Sequence, residues 1–383
     1  MSQVLNQCHS IADLRERARC RLPRVMFDYI DGAAEDEVTM ARNSAGFSDY
    51  ALVPRVLRDV SDIKLDTTIQ GIPSKLPLVL SPTGGTRLFH HEGELASSAA
   101  AAAAGLIFTL SSMSTYDIET VGANTRGPKW FQIYVWKDRA VVKEFIERAR
   151  SSGYQALVLT VDVQTSGQRE RDLRNGFTLP PKFTLSSLFD MALHPWWWWT
   201  TLTKPPITLA NVAGKNMGVQ NATAMGQYAA SQLDPTVDFD DLAWMIQQWK
   251  GPFLVKGVTN AQDARRIADI GATGVIVSNH GGRQLDQSIA AIDALPAIVD
   301  AVDGKAEVLL DGGVRRGTDI IKALSLGARA CMMGRPFLYG LAAGGQSGAT
   351  RAIDILGSEL KRSMMLLGCD DIQALNPSFL QRR

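Results

Sequence analysis

LPLVLSPTG (76–84) is an apolar run that ends in a proline and a glycine, and seven runs like it follow along the chain. They are LIFTLSS (106–112), KWFQIYV (129–135), ALVLTVD (156–162), PFLVKGV (252–258), GVIVSNH (274–280), EVLLDGG (307–313) and RACMMGR (329–335). Runs that are apolar throughout, rather than alternating, read as strands buried on both faces, the habit of parallel sheets. Between them lie RAVVKEFIERARSSG, AQDARRIADIG and GTDIIKALSLG, each with apolar residues near helical spacing and a closing glycine. Eight strand–helix alternations predict a TIM (β/α)8 barrel.

A doubly wound open sheet is the competing architecture, and the polar residues separate the two. Gly84, Ser111, Gln132, Tyr134, Thr160, Asp162, Lys256, Ser278, His280, Asp311 and Arg335 stand at or just past the C-terminal ends of the runs. In a barrel those ends converge on one face, whereas an open sheet would not gather all eight around one ligand. Residues 76–383 are therefore expected to form the barrel. Residues 1–75 read as an N-terminal helical segment covering one end of it. Residues from about 164 to 250 far exceed an ordinary connection. They read as an insertion after the fourth strand: a lid, an interaction surface or a partly disordered loop.

Composition narrows the classes further. Of 383 residues, 45% are hydrophobic and 21% charged, an ordinary globular balance with ample material for a core. The net charge of +1 gives no field favouring nucleic acid. Cys8, Cys20, Cys331 and Cys369 form no CxxC pair and no metal-ligand spacing, so reduced thiols in a cytoplasmic protein, and no metal, are expected. The N-terminus carries charges where a secretion signal needs an apolar core. The nearest candidate for a membrane span, Leu95 to Leu110, is mostly alanine and serine and divides at Gly105 into a helix and a strand.

The densest chemistry lies in SNHGGRQLD (278–286), directly after the sixth strand. A histidine at a strand end titrates near neutrality and suits a general base. Two glycines let the backbone approach a ligand, and the planar fork of Arg283 matches a carboxylate. The segment resembles the active-site signature of the FMN-dependent L-2-hydroxy acid oxidases and dehydrogenases. That family includes glycolate oxidases, L-lactate dehydrogenases and mandelate dehydrogenases. The resemblance runs from RLPRVMFDYIDGAAEDE, near the start, to the last strand, and its fold is the TIM barrel.

The resemblance assigns roles position by position. His280 is the implied base, and Asp162 the carboxylate that orients it and stabilises its protonated form; the alternative for Asp162 is a helix cap after the strand. Arg283 and Tyr29 are the implied carboxylate binders, Tyr134 meets the substrate oxygen, and Arg169 is a second arginine on a mobile loop. Without the resemblance, Tyr29 reads as a core aromatic. Pro82, Thr83 and Gly84 are the turn passing the flavin ring, with Ser111, Gln132, Thr160 and Ser278 around it. Lys256 is the implied cation near flavin N1 and O2, where the alternative for a lone strand-end lysine is a Schiff base. Asp311, Gly312, Gly313 and Arg315, with Gly334 and Arg335, end strands seven and eight, the usual phosphate site of such barrels.

The implied reaction converts an L-2-hydroxy acid to a 2-oxo acid, by hydride or by carbanion, with L-lactate favoured and (S)-mandelate the alternative. Gly84 stands where many oxidases of the family carry alanine, and Met113 where glycolate oxidase carries tryptophan. The implied acceptors are a quinone, another external acceptor or oxygen, because no haem domain precedes the barrel. An FMN-dependent isomerase is the reading from a different class, and would not need His280 with Arg283. HPWWWWTTLTKPPITLANV resembles a segment of bacterial membrane-associated L-lactate dehydrogenases. Trp196–Trp199 suit a membrane interface, and the rival reading packs them on a protein surface. The family resemblance implies a homotetramer, cytoplasmic or peripheral on the inner face of the cell membrane.

Overall fold

In the computed structural model, which describes residues 2–178, 182–212 and 231–383, the eight runs form one closed parallel barrel. Its strands are β1 (Leu78–Leu80), β2 (Ile107–Ser111), β3 (Lys129–Ile133), β4 (Ala156–Thr160), β5 (Phe253–Val258), β6 (Gly274–Val277), β7 (Glu307–Asp311) and β8 (Ala330–Met333). Each pairs with the next in sequence, and β8 closes on β1 through Met332 and Val79. The barrel expected from the sequence is the one observed.

Every strand sends an apolar side chain inward. Val79, Ile107, Trp130, Val158, Leu254, Ile276, Leu309 and Met332 form one fully buried cluster, so the lower barrel is a packed core rather than a pore. Burying each aliphatic side chain contributes roughly 1.5–3 kcal/mol before the entropy of ordering it. A hairpin, Thr67–Ile69 with Ile72–Ser74, adds Ile69 to this cluster and packs Ile72 against it, which stoppers the N-terminal ends of the strands.

Residues 1–75 thus reach both ends of the barrel, not one. Helices Arg24–Asp31 and Val38–Ala45 lie over the opposite face. There Ala34 N donates to Gly282 O at 2.9 Å, and the amides of Asn43 and Asn279 bond each other at 2.8 and 2.9 Å. The end of the N-terminal segment also meets the C-terminal tail, with Tyr50–Leu52 antiparallel to Leu380–Arg382.

The long segment after β4 needs a narrower boundary. Its last part, Phe239–Trp249, is the fourth barrel helix. Asp238 caps it by accepting from the backbone N–H groups of Asp240 and Asp241, and Leu242, Met245 and Trp249 are buried. The insertion proper therefore ends near residue 238, and part of it (179–181 and 213–230) lies outside the described residues. The described part carries helices Leu185–Ala192 and Pro195–Thr203. Among its four tryptophans, Trp197 packs against the core and donates Nε1–H to Leu88 O at 2.8 Å. Trp196, Trp198 and Trp199 are 55%, 37% and 57% exposed, beside exposed Leu185, Phe189, Leu193 and Leu202. Among the described residues no helix is long and apolar enough to cross a membrane, and the four cysteines are free.

Candidate active site

The C-terminal mouth of the barrel holds a cavity of about 550 Å³, well within the range of cofactor and substrate sites. Its wall includes Tyr29, Pro82, Thr83, Gly84, Ser111, Tyr134, Arg169, Lys256, His280 and Arg283. Asp311, Gly312, Gly313, Arg315, Gly334 and Arg335 complete it on the β7–β8 side. The other expected residues stand just behind. Asp162 bonds His280, Gln132 bonds Ser111, Ser278 bonds Lys256, and Thr160 pairs with Lys256 across β4 and β5.

His280 is placed by an unusual turn. It has φ of 57°, and Gly281 and Gly282 follow at 66° and 77°. Three successive left-handed residues reverse the chain above β6, and such a conformation at a histidine is strain of the kind that collects at working sites. The turn brings His280 Nδ1 to 3.0 Å from Asp162 Oδ1. Asp162 in turn lies against β5 only because Gly257 has no side chain: a Cβ there would come 2.6 Å from the carboxylate carbon. Burial opposes the Asp162 charge, but His280 and Lys256 outweigh it and hold the carboxyl below its ordinary range. Its second oxygen has no hydrogen-bond partner. Asp162 therefore faces the histidine as an anion, the arrangement that orients an imidazole and stabilises it when protonated. It is not a helix cap.

Beneath lies a buried polar network. Lys256 Nζ is 2.8 Å from Asp311 Oδ2 and 3.0 Å from Ser278 Oγ. Ser278 and Ser81 donate to the two Asp311 oxygens at 2.9 and 2.8 Å. Burial disfavours both charges, yet each holds the other. Asp311 and Asp162 raise the Lys256 pKa above its ordinary value, and Lys256 with the two serines lowers that of Asp311. A lysine held protonated is a poor Schiff-base nucleophile and a good fixed cation.

The residues present fit an FMN ring. Gln132 Nε2 and Thr160 Oγ1 are buried without a partner, an omission worth about 1–3 kcal/mol each unless a ligand meets them. At Gly84 a Cβ would sit 3.0 Å from Met113 O, so a side chain there would press on Met113. Arg315 lines the β7–β8 side of the cavity, and among the described residues its Nη1 donates only to its neighbour Val314 O. Arg335 is more committed, donating to the carbonyls of Ile30, Gly281 and Gly32 at 3.0, 2.9 and 2.7 Å.

Two arginines gather around Tyr29. The Arg283 guanidinium carbon lies 5.0 Å from the Tyr29 ring centre and that of Arg169 5.2 Å from it. Burial and the nearby Arg169 charge push Arg283 down to about 10, which still leaves it a cation at neutral pH. Arg283 Nη1 also donates to Tyr29 O and Gly32 O, tying the β6 loop to the end of helix Arg24–Asp31. Burial and the Asp162 charge raise the Tyr134 phenol, so it stays protonated and able to donate. Several cavity residues carry no sequence signal: Ser81, Phe177, Ile207, Leu209 and Leu233. They are apolar or small and far apart in sequence. Only Ser81, beside the recognised turn at Pro82, was within reach of a positional argument.

Known proteins resemble the chain over almost its whole length. A putative L-lactate dehydrogenase of Mycobacterium tuberculosis is 43% identical over 369 residues, 96% of this chain and 88% of that protein. An L-lactate dehydrogenase of Caulobacter vibrioides is 44% identical, covering 98% of both chains, and an L-lactate oxidase of a Nostoc species is 44% identical over 97% of both. The crystal structure of a monotopic membrane protein, (S)-mandelate dehydrogenase, superposes with a TM-score of 0.95 at 37% identity, over 98% of this chain and 100% of that one. The model of one family, FMN-dependent dehydrogenase, matches residues 18–382, and the chain belongs to that family.

Proposed function

We propose that this protein oxidises an L-2-hydroxy acid to the 2-oxo acid, with L-lactate-type substrates favoured and electrons passed to an external acceptor such as a quinone. The observation that carries the reading is the His280–Asp162 pair at 3.0 Å, set in one cavity with Arg283, Arg169 and Tyr29. Arg283 and Tyr29 bind the substrate carboxylate, and Arg169 adds a second cation. Tyr134, protonated, donates to the substrate hydroxyl oxygen. His280 removes a proton, and Asp162 stabilises the imidazolium that results. Bound FMN, held by the turn at Pro82–Gly84, Ser111, Gln132, Thr160, Ser278 and the β7–β8 loops, supplies the acceptor of the electron pair. Lys256 holds a positive charge at the ring edge.

The relatives named for L-lactate favour a small substrate. (S)-Mandelate is the second reading, favoured by the closeness of the mandelate dehydrogenase structure and by the side-chain-free turn at Gly84 beside Met113. The test is anaerobic bleaching of the yellow protein by L-lactate, glycolate and (S)-mandelate, followed by air. Rapid bleaching by L-lactate is expected, with slow recovery in air and fast recovery with a quinone. No bleaching by any of the three overturns the function. Bleaching by (S)-mandelate alone moves the substrate, and fast recovery in air makes the protein an oxidase.

The exposed apolar face of Leu185–Ala192 and Pro195–Thr203 supports a peripheral membrane contact close to the acceptor's own phase. The segment runs on into Ile207 and Leu209, which line the cavity. A homotetramer remains part of the proposal and rests on the family resemblance.

A further inference from the structure

One carboxylate on the helix that carries Tyr29, Asp31, and one on helix Glu170–Arg174, Asp172, are treated differently. Asp31 is saturated: Arg15 donates to it at 2.6 and 2.8 Å, Tyr339 at 2.8 Å and Arg171 at 3.1 Å. Arg171 also engages Glu37 and lies 3.8 Å from Asp28, so its charge is absorbed outside the cavity. Asp172, the next residue, is equally buried yet barely bonded. Its Oδ2 lies 3.3 Å from Arg169 Nε without hydrogen-bond alignment, and among the described residues no other donor reaches that oxygen. Burial accordingly raises the Asp172 pKa, with Arg169 and Arg283 as the leading opposing charges.

A buried carboxylate kept at arm's length from an arginine is a poor strut and a good counter-charge. Among the described residues the Arg169 guanidinium makes no hydrogen bond, which leaves it available to a ligand. The cavity wall then holds two cations, Arg169 and Arg283, and one carboxylate, Asp172, stands behind Arg169 outside that wall. The balance of the three is one positive charge, matched to one substrate carboxylate.

We propose that Asp172 is a positioning and specificity residue that offsets one of the two arginine charges, so that the site selects 2-hydroxy monocarboxylates over dicarboxylates. The inference rests on the reading of this cavity as a hydroxy-acid site and names the substrate class within it. The general physics is that like and unlike charges in a water-poor site act at short range with little screening. A second carboxylate entering the wild-type site meets an Arg169 whose charge Asp172 already offsets. Removing the Asp172 charge frees Arg169 for it.

The experiment compares wild type with Asp172→Asn and Asp172→Glu, all FMN-loaded. Turnover with an artificial dye gives kcat/KM for L-lactate and for L-malate, its dicarboxylate counterpart. The malate-to-lactate ratio should rise at least tenfold in Asp172→Asn and stay near the wild-type value in Asp172→Glu. A merely structural role would lower both substrates together and leave the ratio unmoved, and that result overturns the proposal. Binding needs no turnover: perturbation of the flavin absorbance should show propionate binding wild type more tightly than succinate. Tighter succinate binding also overturns it, even if Asp172→Asn fails to fold. Wild type bleached by no hydroxy acid would instead sink the functional reading, while the two binding constants still decide the charge rule.

Discussion

The loop after β6 and the segment after β4 leave the same face of the barrel and follow opposite rules. Around His280 most polar groups of the loop are tied. Ser278 takes the His280 N–H and Lys256, Asn279 reaches Asn43, and Arg283 grips the carbonyls of Tyr29 and Gly32. In helix Pro195–Thr203 no residue is buried, and three tryptophans face outward. One region spends its sequence on fixing a few atoms to within tenths of an ångström. The other leaves apolar surface open, which a protein keeps uncovered only where something else covers it. Precision at the mouth suits chemistry, and the exposed face beside it is the one proposed for membrane contact.

The largest effect that sharpens this contrast comes from His280→Gln. The substitution keeps volume and polarity but removes the base, so flavin reduction by substrate should fall about 10²–10⁴-fold, with the flavin absorbance retained. Stopped-flow reduction under anaerobic conditions checks it, and a rate within threefold of wild type would sink the assignment.

Next is the network beneath. Lys256→Met leaves Asp311 buried without its cation, and breaking a buried pair in this way costs about 3–5 kcal/mol. Because Asp311 sits below the ordinary carboxylate range, its share of stability is present above about pH 4. That share is lost as pH falls through the depressed value. Lys256 is raised, so its share is present below about pH 10 and lost as pH rises through the raised value. The gap between wild type and Lys256→Met in urea unfolding should therefore be widest between those limits and shrink in acid. A gap that widens in acid would contradict the network as described.

The same contrast governs what could be read from sequence. Barrel strands were legible because burial on both faces forces unbroken apolar runs, and the mouth was legible because polar residues had to interrupt them at one end. His280, Asp162 and Lys256 announced themselves this way. Gly257 did not, since its reason for being glycine is the Asp162 carboxylate, 95 positions away in the chain. The stoppering hairpin was silent too, because Ile69 and Ile72 look like any surface alternation until the barrel lies above them. Helix Phe239–Trp249 was absorbed into the insertion although its capping residues were in plain view. It ends on Lys250 in the left-handed conformation, before the glycine that a C-cap pattern expects. Asp172 was hidden in a run of charges, SGQRERDLR, where only packing tells a counter-charge from a solvated one.

The smallest effects come from splitting the four tryptophans, and they test the contrast within a single helix. Trp196, Trp198 and Trp199 are exposed, so changing all three to serine should leave turnover with a soluble dye within about twofold. Surface substitutions away from packed features usually change stability by less than about 0.5 kcal/mol each. Their removal should abolish co-sedimentation with vesicles of phosphatidylglycerol and phosphatidylethanolamine, because indole rings supply the interfacial contact. Trp197 belongs to the other rule: its N–H ends on Leu88 O, and its ring packs on the core. Trp197→Phe deletes that one hydrogen bond and should cost about 1 kcal/mol in urea unfolding, with vesicle binding weakened only slightly. If the triple variant stays on vesicles while Trp197→Phe leaves them, the outward face is not the anchor. The helix would then contact the membrane only through the way it is pinned to the barrel.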